Sequence, residues 1–175
     1  MNAIRIAEVD AAGLERLMAE FTEVLHATVQ AGASVNFIWP FPRTEAEAFW
    51  REKVLPPLAA GGRILWAAFD GERVAGTVQL MLDMPPNQQH RGEVTKLLVH
   101  PDWRRRGIGR DLMLALDGRA AALGKSLVTL DTRTGDAAEP LYAGLGYQRA
   151  GTIPQFALAP DGSRHDATTY MYKLF

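Results

Sequence analysis

The 175-residue sequence contains no cysteine. This absence excludes disulfide bonds, zinc sites built on thiolates and catalysis by a cysteine nucleophile. It says little about the cellular compartment, because a cysteine-free protein folds in any redox environment. The four histidines are scattered along the sequence, and no two of them have the spacing of ligands on one helix face. We therefore expect no metal site.

Long apolar runs and an excess of either charge are also lacking. No stretch approaches the roughly 20 apolar residues that span a bilayer, and the N-terminus lacks the basic-then-apolar pattern of a signal peptide. The 19 lysines and arginines are balanced by 20 aspartates and glutamates, for a formal net charge of -1. This balance gives no support to a nucleic-acid-binding domain, which is normally basic. We expect a cytoplasmic protein that binds neither membranes nor nucleic acid, and we leave its oligomeric state, including a homodimer, open.

What the sequence does contain is the size and composition of one domain, which we assign to residues 1–175. Hydrophobic residues make up 47% of it and charged residues 22%, which are ordinary values. Apolar periodicity predicts the order β-α-α-β-β-β-α-β-α-β-β, with helices over residues 12–30 and from Thr44 through Val54, the second stopped by Pro56-Pro57. Hairpins mixed with strand-helix-strand units predict an α/β (α+β) fold, with a central mixed, largely antiparallel sheet flanked by helices.

Residues 93–123 form the most informative segment. A short apolar run at residues 94–99 predicts a strand that ends before Pro101, and helical spacing begins at Ile108. The turn between them reads Arg104-Arg105-Arg106-Gly107-Ile108-Gly109. Its glycines let the backbone approach a ligand closely, and the first N–H groups of the helix carry partial positive charge. We expect this turn to bind a phosphate or pyrophosphate.

Two other interpretations of the turn remain open. Three adjacent arginines are most often a solvated basic surface, and Gly-x-Gly alone is too common to identify a site. A role in binding nucleic acid has the least support, because no aromatic residues that could stack on bases flank this single short basic turn.

The spacing Arg104-x-x-Gly107-x-Gly109 resembles the Gln/Arg-x-x-Gly-x-Gly/Ala signature of the GNAT (Gcn5-related N-acetyltransferase) superfamily, and the predicted order of elements is similar to that of the GNAT fold. The resemblance implies acetyl-CoA as co-substrate, with its pyrophosphate on backbone amides of the turn. It also implies that the preceding strand holds the pantetheine and the thioester carbonyl, aimed by a β-bulge near Leu97. The implied cofactor-binding residues are Leu98, Val99, Arg104, Arg105, Arg106, Gly107, Ile108, Gly109 and Arg110.

Acetyl transfer from a thioester to an amine needs a base for the amine and a proton for the leaving thiolate. Glu93 begins one predicted strand and Asp131 ends the next, so their carboxylates converge on one cleft if the two strands are neighbours that splay apart. Close carboxylates would raise one pKa and make a better base. Glu93 could equally be an exposed strand residue and Asp131 a turn residue that bonds its own backbone. Which of the two is the base, and whether water relays the proton, stays open.

The sequence that begins at Leu130 is similar to the GNAT subgroup of the tabtoxin-resistance acetyltransferase, which acetylates a β-lactam amino-acid toxin. This resemblance implies that Glu93 and Asp131 handle the substrate and that Tyr142 protonates the sulfur of CoA. A neutral phenol suits this task, although a tyrosine that merely packs on a helix would look the same in sequence. Many members have asparagine where Gly135 stands here, so the usual side-chain contact with the cofactor is in doubt; backbone or Thr134 could replace it.

Residues 33–42 read ASVNFIWPFP and have no clean period. They are either a loop that covers the core or an aromatic wall of the acceptor site, formed by Phe37, Trp39 and Phe41. With the resemblance, they lead us to expect an acetyl-CoA-dependent N-acetyltransferase that acts directly on a small-molecule primary amine, such as an amino-acid-like toxin or antibiotic. The alternatives are acetylation of a protein N-terminus or lysine, and a non-catalytic module that binds acyl-CoA.

Overall fold

The computed structural model describes residues 3–175, and seven strands of this region form one sheet. In sheet order, β1 pairs with β2, β2 with β3, β3 with β4, β4 with β5, β5 with β7 and β7 with β6. Only β4 and β5 run parallel, so the predicted mixed, largely antiparallel sheet is confirmed. The strands are β1 (Arg5–Val9), β2 (Arg63–Asp70), β3 (Arg73–Met81), β4 (Arg91–Val99), β5 (Leu127–Arg133), β6 (Gln148–Leu158) and β7 (His165–Leu174).

The helices follow the predicted order with two corrections. The first predicted helix is divided at Leu17, whose φ of -102° and ψ of 16° lie outside the helical range. The second does not stop at Pro56-Pro57. It passes through a π-helical stretch, Trp50–Val54, and both prolines lie in the first turn of the next helix, where a missing N–H costs no intrahelical bond. The helices are α1 (Ala11–Arg16), α2 (Met18–Gln30), α3 (Arg43–Phe49), α4 (Leu55–Ala59), α5 (Ile108–Ala122) and α6 (Ala138–Gly144).

Successive side chains of a strand point to opposite faces of the sheet. The strands carry apolar side chains on both faces, so helices cover each of them. Helices α2 and α3 cover the first face, where Phe21, Trp50 and Leu98 are buried in one cluster. Helix α5 covers the second face, where Val94 and Leu116 belong to a separate cluster.

The parallel pair β4 and β5 is joined over only three residue pairs. Arg91, Gly92 and Glu93 align with Leu127, Val128 and Thr129, and beyond this point the two strands part. Strand β4 continues along β3, while β5 continues along β7. A wedge-shaped opening therefore lies in the middle of the sheet, bordered by backbone with unsatisfied hydrogen-bonding groups.

A β-bulge interrupts β4 beside this opening. Gln79 aligns with Thr95 and Thr77 with Leu98, so two residues of β4, Lys96 and Leu97, oppose a single residue of β3. Lys96 has a φ of 53°, and the bulge predicted near Leu97 is thus confirmed. The extra residue restarts the alternation of side chains, so that Lys96 follows Thr95 onto the face covered by α2 and α3.

Candidate active site

The wedge between β4 and β5 opens into a cavity of about 550 Å³. The start of α5 and the region around α6 close one end of the cavity, and residues 31–36 lie at the other end. Nine of the residues predicted from the sequence line it: Val99, Arg104, Arg105, Gly107, Ile108, Gly109, Arg110, Asp131 and Tyr142. The structure therefore brings together the glycine-containing turn, one predicted carboxylate and the predicted proton donor.

The N-terminus of α5 presents a row of unused backbone donors to the cavity. Gly107 caps the helix with a left-handed φ of 80°, and no side chain accepts from the first turn. Among the described residues, the N–H groups of residues 105–110 find no backbone acceptor. Such donors at the positive end of a 15-residue helix suit an anionic group. Ile108 is buried in the core, so it contributes its backbone alone.

The three consecutive arginines have separate surroundings. Arg104 and Arg105 lie exposed on the rim of the cavity. Arg106 instead turns away and places Nη1 3.3 Å from Oδ2 of Asp70, which also accepts a 2.9 Å hydrogen bond from Trp103 Nε1. The bond from Trp103, with the one from Arg106, holds the pKa of the Asp70 carboxyl below its usual value. The Arg106 side chain thus ties the turn to the β2–β3 hairpin and does not line the cavity.

Tyr142 lies on α6 with its side chain buried and facing the cavity. Its ring packs 5.9 Å from that of Tyr147, and its hydroxyl has no hydrogen-bond partner among the described residues. Burial raises the pKa of Tyr142, and the charges of Asp131 and Asp136 raise it further. The phenol is therefore neutral at physiological pH and free to donate its proton to a group in the cavity.

The two predicted carboxylates lie on the same face of the sheet but in different settings. Glu93 aligns with Thr129, and Asp131 follows two residues later on β5. The Asp131 carboxylate lines the cavity, where its Oδ2 accepts a 2.9 Å hydrogen bond from the hydroxyl of Thr168. The Glu93 carboxylate lies just outside the cavity, where Arg91 Nη1 approaches it to 3.3 Å.

The predicted aromatic wall divides between packing and the site. Phe41 is buried in the core, and Trp39 anchors its loop by donating from Nε1 to the carbonyl of Val29 at 3.1 Å. Neither ring lines the cavity. Phe37 is half-buried and stacks at 4.4 Å on Phe41. It reaches the site indirectly, because its outer face lies under the ammonium group of Lys96 at 5.6 Å.

Sequence reasoning missed Lys96, which lines the cavity on β4. Strict alternation from Val94 would direct this side chain toward α5. Only the bulge redirects it to the face covered by α2 and α3. It also missed Arg133, which lines the cavity and pairs with Asp136 at 3.2 Å and with Asp166 at 3.7 Å. The position of Arg133 at the end of a strand, beside the predicted base, was the available signal.

Comparison with known families identifies the class of protein. The model of the acetyltransferase (GNAT) family matches residues 16–147, which is most of the chain and includes the turn, Asp131 and Tyr142. The chain belongs to the GNAT family. It is therefore an acetyl-CoA-dependent N-acetyltransferase, with acetyl-CoA as co-substrate. The row of free N–H groups at α5 has the chemistry that suits a phosphate or pyrophosphate.

Solved structures share the whole fold of this GNAT enzyme. An N-acetyltransferase from Staphylococcus aureus matches with a TM-score of 0.78 and 16% identity, covering 99% of both chains. A ribosomal-protein-alanine N-acetyltransferase from Brucella melitensis matches with a TM-score of 0.76 and 22% identity, covering 98% of this chain and 99% of that one. An acetyltransferase from Salmonella typhimurium, solved with its cofactor acetyl-CoA, matches with a TM-score of 0.75 and 20% identity. The match covers 99% of this chain and 94% of that one.

Two other kinds of structural feature are lacking in residues 3–175. This part of the chain has no group of three or more histidine, aspartate and glutamate side chains placed to hold a metal ion. None of its helices combines the length and apolar character that a membrane crossing requires.

Proposed function

We propose that the acceptor of this GNAT enzyme is the primary amine of a small molecule and that the acetyl group passes to it directly. The observation that carries this proposal is that two segments border the acceptor side of the cavity, residues 31–36 and the β6–β7 hairpin. The N–H of Trp39 donates to the carbonyl of Pro160 at 2.7 Å, which joins the loop after α2 to the β6–β7 hairpin. A cavity of about 550 Å³ bounded in this way suits a small ligand better than the open groove a peptide needs.

Each step of the transfer has a residue suited to it. The amine nitrogen forms a bond to the acetyl carbon of acetyl-CoA, the carbon–sulfur bond breaks, and CoA leaves as a thiolate. Asp131 is the residue we assign as base, because its carboxylate lines the cavity, whereas Glu93 lies beside it at the edge. Tyr142, kept neutral by burial, is suited to protonate the thiolate. The absence of cysteine excludes an acyl-cysteine intermediate, so direct attack of the amine on the thioester is the simplest route.

A finer assignment places the enzyme with the acetyltransferases that modify amino-acid-like toxins, as the resemblance to the tabtoxin-resistance subgroup suggested. Support for it comes from the acceptor side of the cavity, where the exposed ring of Phe156 contacts that of Tyr170 at 6.1 Å beside Asp131. Aromatic walls beside a carboxylate fit a compact, polar amine.

The test is an acetyl-transfer screen that measures thiol release from acetyl-CoA. One arm contains amino acids, polyamines, amino-sugar antibiotics and toxin-like amino acids, and the other contains peptides with free N-termini or lysines. Turnover confined to the small-molecule arm is the expected result. Turnover confined to peptides would overturn the proposal in favour of protein acetylation.

Variants separate an enzyme from a module that only binds acyl-CoA. We expect Asp131→Asn to lower kcat by roughly 100-fold or more, the usual contribution of a general base, with little change in the affinity for CoA measured by calorimetry. Glu93→Gln should have a smaller effect. Unchanged thiol release in both variants and in Tyr142→Phe would refute the assigned chemistry.

A further inference from the structure

Lys96 occupies an unusual position for a lysine. The bulge directs its side chain into the sheet face covered by α2 and α3, where its ammonium group lies 5.6 Å from the ring centroid of Phe37 and 5.5 Å from that of Phe49. The same side chain lines the cavity. Its Nζ forms no hydrogen bond or ion pair with another described residue. Two aromatic rings flank this cation, and the Asp131 carboxylate across the wedge forms no ion pair with it, which favours an anionic partner from outside the chain.

The other cations that line the cavity are already accounted for. Arg133 pairs with Asp136 and Asp166, and the arginines of the turn lie at the CoA end, next to the free N–H groups of α5. Lys96 is on the acceptor side, on the strand opposite Asp131. The two walls of the wedge therefore carry opposite charges, a cation on β4 and a carboxylate on β5.

Apart from the Asp131 carboxylate across the wedge, the surroundings of Lys96 add mainly hydrogen-bond donors. Gln79 aligns with Thr95 on the neighbouring strand, is fully buried, and has an Nε2 without a partner among the described residues. Arg63 donates from Nη1 to Gln79, and its buried Nε is also unpartnered. The positive charge of Arg63 opposes protonation of Lys96. Burial, with that charge, lowers the pKa of Lys96 to about 8 although Asp131 raises it. Donors in excess favour a ligand group that only accepts.

We propose that Lys96 binds a carboxylate of the acceptor, so that the acceptor is an amino acid or a related molecule carrying both an amine and a carboxylate. This proposal rests on the proposed function, since it names the substrate class of the same cavity. The amine faces Asp131 and Tyr142 while the carboxylate faces Lys96, and the separation of the two strands sets the distance between the two groups. Lys96 is thus a specificity-determining residue that takes no part in proton transfer.

The experiment compares matched acceptors. Glycine, β-alanine and γ-aminobutyrate are each paired with their carboxamides, together with larger α-amino acids and their amides, and kcat and KM are measured for the wild type and for Lys96→Gln. We expect the wild type to prefer carboxylates, and the variant to lose this preference by roughly 10- to 100-fold, the range of a charge-assisted hydrogen bond. The loss should appear in KM, with kcat for the amides unchanged.

Two further variants sharpen the result. Lys96→Arg keeps the charge against the two rings and should restore at least part of the preference for carboxylates. Lys53→Gln removes an exposed lysine from the π-helical stretch and should behave as the wild type. An equal loss with carboxylates and amides in Lys96→Gln would overturn the proposal, because it would indicate a base or a purely structural role. Acetylation of Lys96 itself by acetyl-CoA, located by mass spectrometry, would also overturn it.

A binding measurement separates this inference from the proposed function. N-acetylglycine, N-acetyl-β-alanine and their amides are titrated in the presence of CoA by ligand-observed NMR, which requires no turnover. Selective binding of the carboxylates that Lys96→Gln abolishes supports the inference even if no small amine is acetylated. Amine acetylation without any dependence on the carboxylate or on Lys96 refutes the inference and leaves the proposed function standing.

Discussion

At the scale of single residues, burial has the same effect on two ionisable side chains of the cavity, Tyr142 and Lys96. It disfavours the charged form of each. Burial therefore raises the pKa of Tyr142 and keeps its proton in place, whereas it lowers the pKa of Lys96 to about 8. This effect suits Tyr142 to its proposed role as a proton donor. Lys96 stays mostly charged at pH 7 only at a cost to the folded state.

Tyr142→Phe should lower kcat by roughly 100-fold or more, because a positioned general acid contributes about that much. The ring stays in place against Tyr147, so we expect the affinity for CoA and the melting temperature to change little. Thiol release and calorimetry measure these two quantities. Tyr172→Phe, which removes a hydroxyl bonded to Gln148 on the surface, is the matched control. An equal kinetic effect in both variants would contradict the assigned role.

Lys96→Met should raise the free energy of unfolding at pH 7 by roughly 1–3 kcal/mol, as the separation between the ordinary pKa of 10.5 and about 8 implies. The folded state binds the proton less tightly than the unfolded state does. The destabilisation that the buried charge of Lys96 causes in the wild type is therefore complete below about pH 8 and disappears above pH 10.5. Urea unfolding between pH 7 and 10.5 tests this, with Lys53→Met as control. A stability gap that does not shrink as pH rises would contradict the prediction.

At the scale of elements, α5 combines a rigid body with a specialised first turn. Its apolar residues pack on the sheet, and Gly76 of β3 lets it approach closely, since a Cβ there would lie 3.2 Å from Ile108 Cγ2. The first turn depends instead on the left-handed Gly107. Gly107 at the start of α5 and Gly118 inside it should therefore respond differently to replacement by alanine.

Gly107→Ala should weaken binding of acetyl-CoA by roughly 5- to 30-fold, because a left-handed conformation costs a non-glycine residue about 1–2 kcal/mol. Gly118→Ala should leave binding unchanged and stabilise the protein by about 0.5–1 kcal/mol, since Gly118 is an exposed residue inside the helix with open space around it. Calorimetry and urea unfolding provide the two measurements. Loss of CoA binding in the Gly118 variant would show that the effect is not local to the turn.

Most elements were predictable because their patterns are local. Apolar periodicity located the strands and α5, and the glycine-containing turn correctly indicated free N–H groups at the start of α5. Two features were not. The helical continuation through Pro56 depends on a π-helical stretch that has no distinct pattern in sequence. The resemblance implied a bulge near Leu97, but the apolar pattern does not show which side chain a bulge redirects, so the burial of Lys96 was missed.

At the scale of the whole molecule, a buried polar network joins elements that are distant in sequence. Asp117 of α5 accepts hydrogen bonds of 2.7 Å from the hydroxyl of Tyr147 and from Nζ of Lys173 on β7. Lys173 also donates to the carbonyl of Leu145 at 2.9 Å. This network links α5, which lies behind the proposed CoA site, to the sheet and to the turn that follows α6. Helix α6 carries Tyr142.

Asp117→Ala should lower the free energy of unfolding by roughly 3–5 kcal/mol, because it leaves a mostly buried lysine without its counter-ion and a buried hydroxyl without an acceptor. Tyr147→Phe removes only one neutral donor and should cost about 1 kcal/mol. Urea unfolding at pH 7 measures both. Equal losses in the two variants would indicate that the ion pair adds nothing beyond the hydrogen bond.

The early end of the pairing between β4 and β5 has a consequence for how the acceptor specificity of such an enzyme can evolve. The width of the wedge is set by main-chain geometry, so we expect replacement of a side chain on its proposed acceptor side to alter the preferred amine without closing the path of the cofactor. Lys96, Phe156 and the loop around Trp39 can vary while the first turn of α5 stays as it is. A fold of this kind can acquire new acceptors by small steps and retain a working acetyl donor at each one.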